Sequence, residues 1–380
     1  MDGPHHPGGE RRNSFDAVRL IAALSVLAGH QFDLASYYVQ GYAQPSLGPL
    51  GIKLSDTGLY VFFALSGYLV FQSLRSDSRV WRFASARMLR IYPGATVNTL
   101  ACLAFGAIDT TLPWRNFWQD PATWSYLAHN LPIVAVPTQF GLPSVLADAR
   151  WPAVNVPIWT LKYELLCYAL LLVLYKLLPA RRAWVSAALV AVAFGLMALF
   201  IYDRTFPSAG APGLDSLGGF FPAHLIRFTM VFFSGAAYAA CEPLNDTGRL
   251  FTLAIPAGLI CFGLTPEFGR AGLILLVGLM AIEIGKSPAL HSRVLRRIGD
   301  LSYGTYLYAF PIQLLTLTRL LNDHNFWLVT GLDLVLILGC AFLSWHLVEK
   351  PALRLKWSRG QQPESVSRPA EPTLVPVSSR

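Results

Sequence analysis

The sequence is short of charge. Of its 380 residues only 14% are Asp, Glu, Lys or Arg, while 54% are hydrophobic. A soluble domain usually carries about 25% charged residues, so the chain lacks the polar surface that two or three soluble domains would need. It has five cysteines, all in apolar runs at long, irregular spacings, which excludes a disulfide framework or a zinc site built on paired cysteines. A P-loop, a nucleophile elbow, the zinc-protease helix motif and the His-x4-Asp of soluble acyltransferases are also absent. No metal is expected. No small-residue cleavage site follows the first apolar run, so that run is expected to remain as a helix. The net charge of +8 does not signal nucleic acid. Most Lys and Arg sit in short loops between apolar runs, where they set membrane orientation.

What is present is a series of apolar runs. A helix needs about 20 such residues to cross a bilayer, and ten are placed: 15–38, 56–74, 89–108, 157–178, 183–202, 222–240, 250–264, 270–284, 302–321 and 326–348. The expected fold is an all-α, polytopic membrane bundle. With both termini cytoplasmic, the inner loops hold Arg75, Arg79, Arg82, Arg87, Arg90, Lys176, Arg181 and Arg182, whereas the outer loops hold few cations. That asymmetry favours an even number of crossings. One domain, 13–355, is expected between unstructured tails, 1–12 and 356–380. The outer segment 110–156 carries Trp114, Trp118, Trp124 and Trp151. These read as an interfacial aromatic belt or as a lid over a substrate cleft.

Ionisable groups inside a membrane cost on the order of 2.5–3.5 kcal/mol each on insertion scales. The candidates are Asp16, Arg19, His30, Lys162, Glu164, His224, Arg227, Glu283, Asp333, His346 and Glu349. Arg19 and His30 are eleven residues apart, within ~20° of three full helical turns, so they share a face and stand roughly 16 Å apart along the axis. Asp16 is placed to pair with Arg19. The arrangement suits a long donor entering from the cytoplasm with an anionic head. Arg binds phosphate through a planar fork, and a neutral imidazole takes a proton from an attacking hydroxyl. The plainer reading has Arg19 snorkelling and His30 bonding another helix. A proton relay in a transporter also fits.

The words around these residues are recognisable. Phe15-Asp16-Ala17-Val18-Arg19, ending in Gly29-His30, resembles the opening helix of the acyltransferase-3 family, whose signature is Arg-x10-His. Phe62-Phe63-Ala64-Leu65-Ser66-Gly67-Tyr68 looks like its second-helix motif, and Arg87-Met88-Leu89-Arg90-Ile91-Tyr92-Pro93 like its basic loop entering helix three. Trp159-Thr160-Leu161 followed by Glu164 resembles its Trp-x-Leu-x-x-Glu motif. Leu301-Ser302-Tyr303 and Val348-Glu349-Lys350-Pro351 fit as well. The resemblance covers residues 13–355. One departure is Ala309 before Phe310-Pro311, where many relatives carry His.

The resemblance implies an enzyme: transfer of an acyl group, acetyl by preference, from cytoplasmic acyl-coenzyme A to a hydroxyl of a cell-surface or lipid-linked glycan. It implies His30 as the catalytic residue, Arg19 at the donor, and Arg87 and Arg90 near the donor phosphates. Glu164 is expected on the outer side of its helix, where it would orient His30 and fix its tautomer or bind acceptor hydroxyls. Ser66 and Trp159 are possible supports, though Ser-Gly in a membrane helix also serves close packing. The expected setting is the bacterial inner membrane, with polysaccharide-assembly proteins as possible partners and no nucleic acid. A proton-coupled exporter using His30 is the alternative. A non-enzymatic secretion subunit and the other membrane-bound O-acyltransferase superfamily are more distant ones.

Overall fold

The computed structural model describes residues 13–47, 50–134, 137–178, 182–205, 220–242 and 266–358. Thirteen α-helices follow one another within these segments: α1 (Phe15–Ala35), α2 (Leu54–Ser76), α3 (Val80–Asp109), α4 (Trp114–Gln119), α5 (Pro121–Asn130), α6 (Leu161–Leu177), α7 (Arg182–Thr205), α8 (Pro222–Cys241), α9 (Pro266–Lys286), α10 (Arg293–Ile298), α11 (Ser302–Leu320), α12 (Phe326–Ser344) and α13 (Lys350–Ser358). A 3-10 turn, Pro157–Thr160, leads into α6, and a π turn, Trp345–Glu349, joins α12 to α13. A two-residue antiparallel ladder, β1 (Ser46–Leu47) with β2 (Ile52–Lys53), ties the α1–α2 connection.

Among the described residues, seven helical stretches are long and apolar enough to cross a bilayer: Phe15–Ala35, Leu54–Ser76, Val80–Asp109, Pro157–Leu177, Pro222–Cys241, Pro266–Lys286 and Phe326–Leu355. The chain is a multi-pass helical membrane bundle. Within α7 the apolar stretch is shorter, Ala188–Ile201. The run at 302–321 is helical as α11 but more polar than a lipid-facing span. It packs on α1, α3 and α12, with Thr305 and Gln313 fully buried. A helix enclosed by protein meets few lipid tails and satisfies its polar groups on its neighbours. The run at 250–264 and the tails 1–12 and 359–380 lie outside the described residues. α13 extends to Ser358, three residues into the segment expected to be unstructured from 356.

Close backbone approach sets the register. A Cβ on Gly29 would lie 2.7 Å from the Ser55 nitrogen, and one on Gly58 would lie 2.4 Å from the Ala22 carbonyl. Thus α1 and α2 run antiparallel, with His30 level with the first turn of α2. On the other side of α2, a Cβ on Gly67 would lie 1.9 Å from the Phe232 carbonyl of α8. Small residues at such crossings are how membrane helices gain packing without a hydrophobic driving force.

Two expectations about boundaries are corrected. α3 begins at Val80, not 89, because nothing in 80–92 breaks a helix. Arg87 and Arg90 therefore lie on a helix, three residues apart and on one face. The second correction concerns 131–160. After α5 the chain does not stay at the outer surface. Asn155 Nδ2 donates to Asn98 Oδ1 in α3 at 2.6 Å and to the Leu307 carbonyl in α11 at 3.3 Å. Asn98 is midway along its helix, so the chain has dipped to about half the membrane depth before α6 starts. Leu142, Val145, Leu146 and Val154 of the dipped segment join Phe117 of α4 and Tyr126 of α5 in a second apolar core against Phe310, Leu314 and Phe326.

Candidate active site

One cavity, of about 110 Å³, lies between α1, α2, α3, α6 and α11. Its lining brings together Arg19, Arg87, Arg90, Ser66 and Glu164, five of the residues singled out from the sequence. Thr160, Tyr168, Ser302, Tyr303 and Tyr306 complete its polar surface. Residues 19, 59–70, 87–91, 160–168 and 302–306 reach it because their helices converge at this level of the bundle.

The three guanidinium groups differ. Arg90 Nη2 donates to Asp300 Oδ2 at 2.6 Å, and its Nη1 stands 3.9 Å from Glu349 Oε2. Arg19 Nη1 lies 3.4 Å from both Asp16 Oδ1 and Asp300 Oδ2. Arg87 has no carboxylate partner among the described residues. Its Nη2 donates to Ser73 Oγ at 3.3 Å, its Nε is buried without a partner, and its charge sits 5.8 Å from the ring centres of Phe83 and Tyr168. Asp300 is thus the anchor for two arginines. Burial opposes its ionisation, but Arg90 and then Arg19 hold its carboxyl below the usual range, at about 2. Its loop is fixed by Gly299 at φ +99°, where a Cβ would lie 1.9 Å from Trp345 Nε1. Asp300 escaped the sequence reading because its partners are 210 and 281 residues away. The adjacent Leu301-Ser302-Tyr303 motif was the one available signal.

Glu164 is placed differently from the expectation. It accepts hydrogen bonds from Ser66 Oγ at 2.9 Å and from the Tyr168 hydroxyl. Ser66 lies eleven residues beyond Ser55 on α2, roughly 16 Å along the axis from the level of His30. Glu164 therefore sits with the arginines and not beside His30. The cause is the dip: because α6 begins at mid-depth, its first turns lie low in the bundle. Thr160 and Tyr306, bonded through their hydroxyls at 2.6 Å, mark the same level. Ser66 faces the cavity while its neighbour Gly67 makes the packing contact with α8, so both readings of Ser-Gly hold, for adjacent residues.

His30 lies outside this lining. It makes no hydrogen bond among the described residues, and its ring meets Phe310 edge-on at 5.7 Å. Trp151, from the dipped segment, also meets Phe310 edge-on, at 6.1 Å. Phe62 and Tyr306, 6.0 Å apart, stand at the cavity wall one turn of α11 below Phe310. At the His30 end of α1, Gln44 links Gly29, Asp33 and Ser55, and Lys53 pairs with Asp33 at 3.5 Å. Trp159 packs on Tyr163, His224 and Phe228 and lines neither the cavity nor His30. Trp114, Trp118 and Trp124 form a ring cluster on α4 and α5, with Trp114 and Trp124 exposed.

A multi-pass helical bundle with a polar, arginine-lined cavity agrees with the comparisons to known proteins. The acyltransferase-3 model, an acyltransferase domain, matches residues 12–346. The chain belongs to this family and is a membrane acyltransferase. It is similar to an O-acetyl transferase of Shigella phage Sf6, 27% identical over 355 residues that cover 90% of this chain and 96% of that protein. It is also similar to the acyltransferase MdmB of Streptomyces mycarofaciens, 27% identical over 325 residues, 80% of this chain and 79% of that one. The peptidoglycan O-acetyltransferase OatA of Listeria monocytogenes is 25% identical over 382 residues, 89% of this chain and 55% of its own length. No solved structure matches the chain at a significant level.

Proposed function

We propose that this enzyme moves an acetyl group from acyl-coenzyme A, drawn from the cytoplasm, to a hydroxyl of a cell-surface or lipid-linked glycan in the bacterial inner membrane. Both termini face the cytoplasm, and polysaccharide-assembly proteins supply or receive the acceptor. The observation that carries this reading is the gathering of Arg19, Arg87 and Arg90 on one cavity, Arg19 on the helix that also bears His30. Guanidinium groups bind phosphate in charge-assisted pairs. Arg87, which has no carboxylate partner among the described residues, makes the first contact, while Arg19 and Arg90 are held ready by Asp300. The hydroxyls of Ser66, Tyr168 and Tyr306 suit the amides of an extended donor arm, and Glu164 fixes the first two of them. The arm brings the thioester toward His30. There the imidazole takes the proton of the acceptor hydroxyl as its oxygen attacks the thioester carbon. The C–O bond forms, the C–S bond breaks, and the thiol leaves with the proton. Two relatives, an O-acetyl transferase and a peptidoglycan O-acetyltransferase, support acetyl as the group and a glycan as the acceptor class.

The test is transfer of labelled acetyl from acetyl-coenzyme A to the surface glycan in native membrane vesicles. His30→Ala and Arg19→Ala are each expected to abolish transfer while the protein remains inserted. Full transfer by the His30→Ala protein would sink the reading.

A further inference from the structure

The residue after His30 belongs to a buried polar chain that the transfer scheme leaves unused. Gln31 of α1, Gln313 of α11 and Asp333 of α12 are each 1% exposed or less. Gln31 Nε2 donates to Asp333 Oδ2 at 2.7 Å and to Thr330 Oγ1 at 3.2 Å, and Thr316 Oγ1 donates to Asp333 Oδ1 at 2.5 Å. Gln313 Nε2 donates to Gln31 Oε1 at 2.6 Å and to the Leu27 carbonyl at 2.8 Å. Among the described residues no charged group pairs with Asp333; hydroxyl and amide hydrogen bonds are its whole compensation. A carboxyl is expensive to place in a membrane helix, and such residues are functional candidates by default. For helix packing alone, a leucine at this position would serve.

A carboxyl oxygen that accepts from Gln31 sets the direction of that amide. Gln31 turns its NH2 group to Asp333, which leaves its carbonyl for Gln313. The Gln313 carbonyl oxygen is then left buried without a partner, a cost that packing alone does not explain. The chain grips α1 at two points one turn apart, the Leu27 carbonyl and the Gln31 side chain. His30 stands between them. Three residues before Gln313, on the same side of α11, Phe310 meets the His30 ring. α11 therefore holds the ring with one side chain and the backbone behind it with another.

We infer that Asp333 is a positioning residue for His30: through Gln31 and Gln313 it fixes the rotation of α1, and so aims the imidazole at the reacting hydroxyl. The inference rests on the reading of His30 as the general base. A helix turned by about 20° carries a ring ~6 Å from its axis through about 2 Å. A misplacement of about 1 Å costs on the order of 100-fold in rate.

The experiment uses the full-length protein in native membrane vesicles with labelled acetyl-coenzyme A. It measures turnover, the KM for acetyl-coenzyme A and retention of labelled coenzyme A. For Asp333→Leu and Gln31→Leu, turnover is expected to fall about 10- to 100-fold with KM and coenzyme A retention unchanged. Asp333→Asn keeps an acceptor for Gln31 or Thr316 and is expected to regain most of the turnover. Three results overturn the inference: normal turnover in Asp333→Leu, loss of coenzyme A retention in step with turnover, or an Asp333→Asn protein as slow as Asp333→Leu. The first marks the chain as idle, the second as purely structural, the third as dependent on charge. His30→Ala is measured alongside. If it transfers acetyl normally, the general-base reading fails; if it is inactive and Asp333→Leu is normal, only the positioning role fails.

Discussion

Asp300 accepts a hydrogen bond from Arg90 at 2.6 Å across a sequence separation of 210 residues. The same carboxylate faces Arg19 at 3.4 Å, so one acid sets the spacing of two cations on different helices. Its carboxyl is held at about 2, below the ordinary carboxylate value, so its contribution is fully present above about pH 4 and is lost as pH falls through about 2. Donor binding in detergent is expected to persist to about pH 4 and to decline below it. Asp300→Asn should abolish this acid limb and raise the donor KM at neutral pH. A decline already complete at pH 5 would show that another group governs it.

Arg87 is the cavity arginine without a carboxylate partner among the described residues. A hydrogen bond to a charged group is worth about 1.5–3 kcal/mol, which corresponds to roughly 10- to 100-fold in affinity. Arg87→Ala is therefore expected to raise the KM for acetyl-coenzyme A by that factor with a smaller change in kcat. Arg87→Lys should recover part of it, since Lys keeps the charge but loses the fork. Initial rates over a range of donor concentrations decide the matter.

Glu164 is bonded to Ser66 and Tyr168, roughly three helical turns from the level of His30. Glu164→Gln should weaken donor binding and leave the pH dependence of kcat where it is. A shifted kcat profile would return Glu164 to the side of His30.

Helix packing gives a contrast between two glycines. A Cβ on Gly67 meets the Phe232 carbonyl at 1.9 Å, whereas one on Gly331 meets nothing within 4 Å. Gly67→Ala must separate α2 from α8, and overpacking of this kind costs about 1–3 kcal/mol or more. Its thermal midpoint in detergent is expected to drop by several degrees, while that of Gly331→Ala stays near wild type. Equal midpoints would contradict the tight crossing.

Much of this architecture was legible in the chain. Apolar runs gave the long helices, because the bilayer demands a fixed length of apolar side chains. Helical arithmetic put Arg19 and His30 on one face of α1. Glu164 was found but assigned the wrong neighbours, since its depth depends on Asn155 reaching Asn98 and Leu307, contacts between distant parts of the chain. Asp300 and Phe310 were missed for the same reason: neither belongs to a local pattern that names its partner. The run 302–321 was placed among the apolar ones, and its enclosure by protein was not visible, because composition does not distinguish protein neighbours from lipid.

The inward dip that carries Asn155 to α3 and α11 also changes what crossing the membrane means for the substrates. A hydrocarbon core is about 30 Å thick, and a solute with a charged head or a sugar chain does not traverse it unaided. On the proposed topology the outer polypeptide descends to mid-depth at Asn155, while the arginine cavity rises from the opposite side to Tyr306 and Thr160. On the proposed reading, neither donor nor acceptor has to be flipped. Each makes half a journey, and only the acyl group changes sides.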